Sequence, residues 1–166
     1  YRDQYGQMVI CADGMNTWRK DYFPLYKAHR KKHREESDQD WNEIFRILHL
    51  VRDEIKENLP YKVLHMDGVE ADDIIGSLVM YTQDFGNDEP IMIVSSDKDF
   101  IQLQKFNNVK QFSPIQKKMV TDENPRTYAF NHIMRGDGGD GIPNVLSADD
   151  TFVTDKSQTP LRQARI

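Results

Sequence analysis

Short apolar runs separated by polar turns predict five strands. Residues 8–12 and 91–94 are continuous apolar runs, typical of buried parallel strands, and residues 63–66 form a shorter run that ends at a turn. Residues 109–112 and 118–120 are two short segments on either side of Ser113-Pro114, which predicts a hairpin.

Apolar positions at three- and four-residue spacing predict three helices. The first covers residues 41–55, with Ser37 or Asp38 as its expected cap. The second begins near Glu70 and is expected to end around residues 85–86, and the third covers residues 125–135. Strands that alternate with helices predict an α/β fold with a largely parallel central sheet and helices on both faces.

Size and composition narrow the possible classes. A chain of 166 residues can bury a substantial core, and no apolar stretch is long enough to span a membrane. The single cysteine, Cys11, lies in an apolar run, which indicates a reducing compartment and predicts a cytoplasmic location. The chain begins without methionine directly before a strand, so we expect it to be part of a longer protein.

Acidic residues occur in four clusters, each where a strand ends or a helix begins. They are Asp13, then Glu70, Asp72 and Asp73, then Asp97 and Asp99, and finally Asp137 and Asp140. Ligands of open α/β sheets bind beyond the carboxyl ends of the strands, and hard carboxylate oxygens suit Mg²⁺ or Mn²⁺. In an extended chain, Asp97 and Asp99 would point to the same side. The pattern predicts a two-metal phosphodiesterase.

Structural interpretations compete with the metal hypothesis for individual clusters. The acids of residues 70–73 could complement the dipole at a helix N-terminus. Asp137 and Asp140 could be turn residues among glycines. All four clusters are expected at one edge of the sheet, and this shared location favours metal binding over the structural interpretations.

Basic residues are concentrated in one segment although the net charge is −5. Residues 19–34 contain seven cations interleaved with aromatic side chains, namely Arg19, Lys20, Lys27, Arg30, Lys31, Lys32 and Arg34, with Tyr22, Phe23 and Tyr26. Such a segment suits a phosphate backbone and unstacked bases. The alternative is a solvated, charged helix face.

Three sequence blocks resemble the signatures of a known family. Residues 69–76 (VEADDIIG), 93–103 (IVSSDKDFIQL) and 136–143 (GDGGDGIP) resemble those of the flap endonuclease, or 5′-nuclease, family, whose catalytic domain is PIN-like. Residues 17–22 and 109–114 are similar to the branch represented by the ribonuclease H of T-even-like bacteriophages. The resemblance covers roughly residues 8–147.

The resemblance implies specific roles. Two Mg²⁺ ions, which Mn²⁺ can replace, would be held by Asp13, Glu70, Asp72, Asp73, Asp97, Asp99, Asp137 and Asp140. Lys27 and Arg30 match a Tyr-Lys-x-x-Arg pattern and would act on the reacting phosphate. Arg19, Lys20, Tyr26, Lys27, Arg30, Lys31 and Lys32 would bind nucleic acid at the base of an arch.

The same resemblance suggests a domain division. Residues 1–122 would form the central part of the catalytic domain, without the family's first strand and with the arch segment at 15–37. Residues 123–147 would begin a helix–turn–helix-like element that binds duplex, and residues 148–166 stay unassigned. Gly141 and Asn144 depart from the family, which has Asn and Gly at those positions.

The implied activity is that of a 5′-3′ exonuclease and flap endonuclease with ribonuclease H activity, acting on RNA primers and 5′ flaps during replication. Its partners would be branched DNA, RNA–DNA hybrids, and a single-stranded-DNA-binding protein or sliding clamp, in the host cytoplasm if the chain is phage-encoded.

Two alternatives remain open. One is a catalytically weak nucleic-acid-binding fragment, since the family's first strand is absent from this sequence and the isolated piece is therefore expected to be a weak enzyme. The other is a phosphatase with an Asp-x-Asp motif, which leaves the basic segment and residues 70–73 unexplained.

Overall fold

A computed structural model describes residues 2–84 and 88–153, and the chain divides into two compact units. The first unit comprises Tyr1–Asn16 and Arg52–Ala129, and the second comprises Thr17–Val51 and Phe130–Ile166. The elements in chain order are α1 (Arg2–Tyr5), β1 (Val9–Ala12), α2 (Arg19–Tyr22), α3 (Ala28–Glu35), α4 (Trp41–Asn58), β2 (Lys62–His65), α5 (Ala71–Asp84), β3 (Ile91–Val94), a 3₁₀ helix (Lys98–Lys105), β4 (Val109–Ser113), β5 (Lys118–Val120) and α6 (Pro125–Arg135).

The strands of the first unit pair mainly in parallel. β1 pairs with β2 in parallel, so that Ile10 lies opposite Val63. β3 pairs with β4 in parallel, and β4 pairs with β5 in the predicted antiparallel hairpin. Within the described residues the strands form two ladders, one of two strands and one of three. The α/β class and the mainly parallel pairing are confirmed.

A small apolar core supports the second ladder. Its buried members are Val79 of α5, Ile93 of β3, Phe100 and Leu103 of the 3₁₀ helix, and Val109 of β4. Each such side chain contributes roughly 1.5–3 kcal/mol when fully buried. This packing fixes the C-terminal end of β3, and therefore the start of the acidic loop that follows it.

The loops after β1 and β2 are joined by backbone hydrogen bonds. The N–H of Gly14 donates to the carbonyl of Val69 at 2.8 Å, and the N–H of Gly68 donates to that of Met15 at 2.6 Å. A β-carbon at Gly14 would lie 1.9 Å from the carbonyl oxygen of Met66. Only glycine permits this close approach, which holds Asp13 beside the loop leading to α5.

The second unit contains α2, α3, the first part of α4, the end of α6 and the glycine-rich loop after it. Lys27 precedes α3 in the left-handed region, with φ of 56°, which is uncommon for a residue other than glycine. The glycine-rich loop is closed by a bridge between Asp137 and Ile142, with positive φ at Gly136 and Gly141.

One capping prediction is wrong. Helix α4 begins at Trp41, and Oδ1 of Asp40 accepts a hydrogen bond from the N–H of Glu43 at 3.1 Å. Asp40 is therefore the cap, rather than Ser37 or Asp38. The hydroxyl of Ser37 instead accepts from the N–H of Gln39 in a separate turn, so the chain enters the helix later than predicted.

The other predicted helices are found close to their expected bounds. Asn124 caps α6, because its Oδ1 accepts from the N–H of Thr127 at 3.0 Å. Helix α5 is described to Asp84, and the expected end at residues 85–86 lies outside the described residues. Among the helices within residues 2–84 and 88–153, none combines the length and the hydropathy of a membrane span.

Candidate metal and nucleic-acid site

Asp13 and the acidic cluster of α5 lie together in the first unit. Oδ1 of Asp13 accepts a hydrogen bond from the N–H of Ala71, the first residue of α5, at 2.8 Å. Oδ2 of Asp73 accepts from the N–H of Glu70 at 3.1 Å, so two otherwise unpaired donors at the start of α5 are satisfied by carboxylates. Glu70 is buried and Asp72 is half-buried. The structure thus brings together the acids after β1 and β2.

Asp97 and Asp99 are joined by a local turn. Asp97 has φ of −69° and ψ of 129°, and its Oδ1 accepts from the N–H of Asp99 at 2.9 Å. The expectation of an extended chain here is wrong, because a 3₁₀ helix begins at Lys98 and Asp97 is its N-cap. A carboxylate has about four lone-pair sites, so this hydrogen bond leaves capacity for a cation.

A buried polar network lies directly beneath that turn. The carboxamide of Gln111, which is 0% exposed, donates to the carbonyl oxygens of Ser95 and Asp97. The hydroxyls of Ser96 and Ser113 lie 2.7 Å apart. Sequence reasoning missed Gln111 as a site residue. The available signal was its spacing of two residues from Val109, which places both side chains on the same face of the predicted strand.

In the second unit, Asp137 shapes the glycine-rich loop. Its Oδ1 accepts from the N–H of Gly139 at 2.7 Å and from that of Asp140 at 3.3 Å. Its Oδ2 lies 3.7 Å from Nε2 of His132. These bonds match the turn interpretation, in which an aspartate bonds the backbone two residues on.

Asp140 contacts three residues of the basic segment. Its Oδ2 accepts from the hydroxyl of Tyr26 at 2.9 Å, and its Oδ1 lies 2.6 Å from Nη2 of Arg30 and 3.7 Å from Nζ of Lys27. The backbone N–H of Lys27 also donates to the carbonyl of Asp140 at 2.8 Å, and Arg30 donates to that of Gly139. The predicted catalytic cations are therefore fixed to the glycine-rich loop.

His29 explains why glycine occupies position 141. A β-carbon there would lie 2.7 Å from Nδ1 of His29, and Gly141 has φ of +72°. The pKa of His29 is lowered, first by burial and then by the positive charges of Arg30 and His33, although Asp140 and a hydrogen bond with Gly139 act in the opposite direction. The uncharged imidazole is thus favoured where α3 packs on the loop.

The basic segment also lines an open groove. Its cations are Lys20, Lys27, Lys31 and Arg34, and its aromatic walls include Trp41 and Phe45. The two rings are 6.1 Å apart, and the guanidinium of Arg34 lies 5.6 Å from the Phe45 centroid. The sequence prediction did not assign Trp41 or Phe45 to this surface, because their spacing matched a helix core.

The remaining predicted nucleic-acid contacts differ in exposure. Arg19 lies 5.0 Å from the Trp18 ring and 5.9 Å from the Tyr26 ring, whereas Lys32 is exposed. Lys31 is exposed too, and its Nζ lies 3.9 Å from Glu35.

The side chains of the site are better suited to binding a divalent metal than to covalent catalysis. The acids of the first unit offer only carboxylate oxygens, which suit Mg²⁺ or Mn²⁺. Burial raises the pKa of the Cys11 thiol, so a thiolate nucleophile is disfavoured.

Comparison with known proteins identifies 5′-3′ exonucleases and a ribonuclease H as relatives of this chain. A sequence model described as 5′-3′ exonuclease, N-terminal resolvase-like domain, matches residues 1–130. The chain is 40% identical to a ribonuclease H of Enterobacteria phage T4 over 154 residues, which covers 90% of this chain and 50% of the relative. It is 30% identical to a 5′-3′ exonuclease of Buchnera aphidicola over 145 residues, covering 83% of this chain and 47% of that protein. The chain spans about half the length of these curated relatives.

A solved structure supports the fold. A bacteriophage T5 flap endonuclease, crystallised in a complex with DNA and metal ions, superposes with a TM-score of 0.70 at 17% identity. The match covers 86% of this chain and 56% of that one. This likeness shows that the two chains share an α/β fold.

Proposed function

We propose that this chain, which belongs to the 5′-3′ exonuclease family matched over residues 1–130, forms the catalytic part of a metal-dependent nuclease. It would hydrolyse phosphodiester bonds in RNA primers and 5′ flaps of RNA–DNA or DNA duplexes. The names of its relatives, a ribonuclease H and a 5′-3′ exonuclease, support this choice.

The observation that carries the proposal is the placement of the acids in the first unit. Asp13 reaches the start of α5, where Glu70, Asp72 and Asp73 lie, and Asp97 and Asp99 follow β3. These carboxylates would hold two Mg²⁺ ions, with Mn²⁺ able to substitute. The sequence resemblance implies a metal-binding role for Asp137 and Asp140 as well. Bound ions of this kind activate water and stabilise a leaving oxygen in phosphodiester hydrolysis.

The chain's own cations would act on the substrate. Lys27 and Arg30 would offset charge on the phosphoryl oxygens, and their anchoring to the glycine-rich loop fixes their position beforehand. Arg19, Lys20, Tyr26, Lys31 and Lys32 would bind the strand. We further propose branched DNA and RNA–DNA hybrids as substrates, a single-stranded-DNA-binding protein or sliding clamp as partner, and the host cytoplasm as location.

A second candidate is nucleic-acid binding without appreciable cleavage. The groove of cations and aromatic rings in the second unit favours it, since such a surface would bind single strands without metal. A cleavage assay on 5′-flap and RNA–DNA substrates separates the candidates. Product that forms only with Mg²⁺ supports the nuclease, whereas tight binding with no product in Mg²⁺ or Mn²⁺ supports the binding module.

The basic segment gives a second test. Lys27→Ala and Arg30→Ala should slow single-turnover cleavage by about 10²-fold or more, the scale of removing one electrostatic stabiliser. Lys31→Ala and Lys32→Ala should mainly weaken binding and reduce the log–log salt slope by about 0.7–0.9 per lost phosphate contact. Lys110→Ala, at an exposed position of β4, is the control and should change neither quantity. If all four variants lose affinity at an unchanged single-turnover rate, Lys27 and Arg30 are not catalytic.

A further inference from the structure

Gln111 is a fully buried polar residue that bridges the turn carrying Asp97. It lies in β4 with 0% exposure. Its Nε2 donates to the carbonyl oxygen of Ser95 at 3.0 Å and to that of Asp97 at 2.5 Å. One amide group thus holds the two carbonyls on either side of Ser96, where the chain leaves β3 and enters the 3₁₀ helix.

The other end of the Gln111 amide is also held. Its Oε1 accepts from Nε2 of Gln104 at 3.2 Å. Gln104 in turn donates to the carbonyl of Val120 at 3.0 Å, and its Oε1 accepts from the N–H of Asp122 at 3.3 Å. Since carbonyl oxygens only accept, the amide nitrogen of Gln111 must face Ser95 and Asp97. The orientation of this side chain is therefore determined by its partners.

The turn above the amide is the one that orients the two carboxylates. The N–H of Asp97 donates to the hydroxyl of Ser95 at 3.1 Å, and Oδ1 of Asp97 accepts from Asp99. A shift of the Asp97 carbonyl would rotate the Asp97 backbone and move both side chains. Burying a carboxamide is costly unless its hydrogen bonds are made, and an apolar residue of similar size would fill the same space.

From this arrangement we propose that Gln111 is a positioning residue that fixes the Asp97 and Asp99 carboxylates for divalent-cation binding. The inference rests on the proposed metal-dependent function. Gln111 acts through the backbone of Ser95 and Asp97, and Gln104 holds the far end of its amide. Neighbours of this kind that orient metal ligands typically change metal affinity or activity by about 10–100-fold when they are replaced.

The test compares two buried glutamines of the first unit. Gln111→Met keeps the side-chain length and removes both donated hydrogen bonds. Gln83→Met is the matched control, because Gln83 is 8% exposed and its Nε2 donates to the carbonyl of Glu89 at 3.2 Å, outside the acidic clusters. Mn²⁺ alone is titrated into each full chain by calorimetry, and thermal unfolding without metal is measured in parallel.

We expect both variants to melt below the wild type, and only Gln111→Met to lose Mn²⁺ affinity, by about 10–100-fold. Equal affinity in Gln111→Met and wild type would overturn the positioning role, as would an equal loss in both variants. If Gln111→Met does not fold, Gln104→Met replaces it. That variant should lose affinity by a smaller factor, and unchanged affinity would overturn the proposal. A wild-type chain that binds no Mn²⁺ would instead contradict the metal-dependent function itself.

Discussion

Asp97→Asn is expected to abolish metal-dependent cleavage while leaving the metal-free protein as stable as the wild type. The substitution removes a negative charge from the carboxylate cluster, and we expect turnover to fall by at least about 10²–10³-fold. Asparagine still offers an oxygen to the N–H of Asp99, and it is as good an N-cap as aspartate. The local turn should therefore survive. Single-turnover cleavage and thermal unfolding without Mg²⁺ measure the two effects separately.

Asp97→Ala is the matched comparison for that experiment. Alanine removes the charge and the cap together, so it should lose cleavage to the same extent and cost about 0.5–2 kcal/mol of stability as well. Added Mg²⁺ should raise the melting temperature of the wild type by mass action, and should raise that of either variant less. A metal-free Asp97→Asn protein that melts as low as Asp97→Ala would assign Asp97 a structural role instead.

The local sequence pattern was sufficient to predict most of the strands and helices of the fold. The apolar runs at β1 and β3 and the turn signal at Ser113-Pro114 each reflect interactions within a few residues. The 3₁₀ helix was not predictable in this way, because Phe100, Ile101 and Leu103 lie within eight residues, too few for a period to be read. The cap of α4 was misplaced for a similar reason, since Ser37, Asp38 and Asp40 are all favourable cap residues.

The parts of the site that depend on pairing between residues distant in the chain could not be predicted from the sequence. Tyr26 and Asp140 are 114 positions apart, and nothing in either local pattern indicates their hydrogen bond. The role of Gln111 likewise depends on where β4 pairs with β3, which places its amide under the Asp97 turn. By contrast, the basic segment and the acidic clusters could be predicted from the sequence, because a local concentration of charged residues is visible without knowledge of the fold.

Gly14→Ala is expected to have the largest effect on stability of any single methyl addition at the site. The new β-carbon would lie 1.9 Å from the carbonyl oxygen of Met66, 2.7 Å from its carbonyl carbon and 2.9 Å from the carbonyl oxygen of Val69. All three are backbone atoms, so no side chain can rotate away. The loops after β1 and β2 would have to separate, which would break the hydrogen bond from Gly14 to Val69.

We expect Gly14→Ala to lower the free energy of unfolding by at least the upper end of the roughly 1–3 kcal/mol typical of overpacking. Asp13 precedes Gly14, and its carboxylate accepts a hydrogen bond from the N–H of Ala71. Because a shift of this loop would displace that carboxylate, cleavage should fall as well, even at temperatures where the variant stays folded. Gly76→Ala is the control: it lies inside α5, where the new methyl would meet no atom within 4 Å apart from its chain neighbours and the adjacent backbone of its own helix, and it should raise stability by about 0.5–1 kcal/mol. Urea unfolding of both variants measures the difference, and a Gly14→Ala protein as stable as the wild type would show that the loops after β1 and β2 can separate without loss of stability.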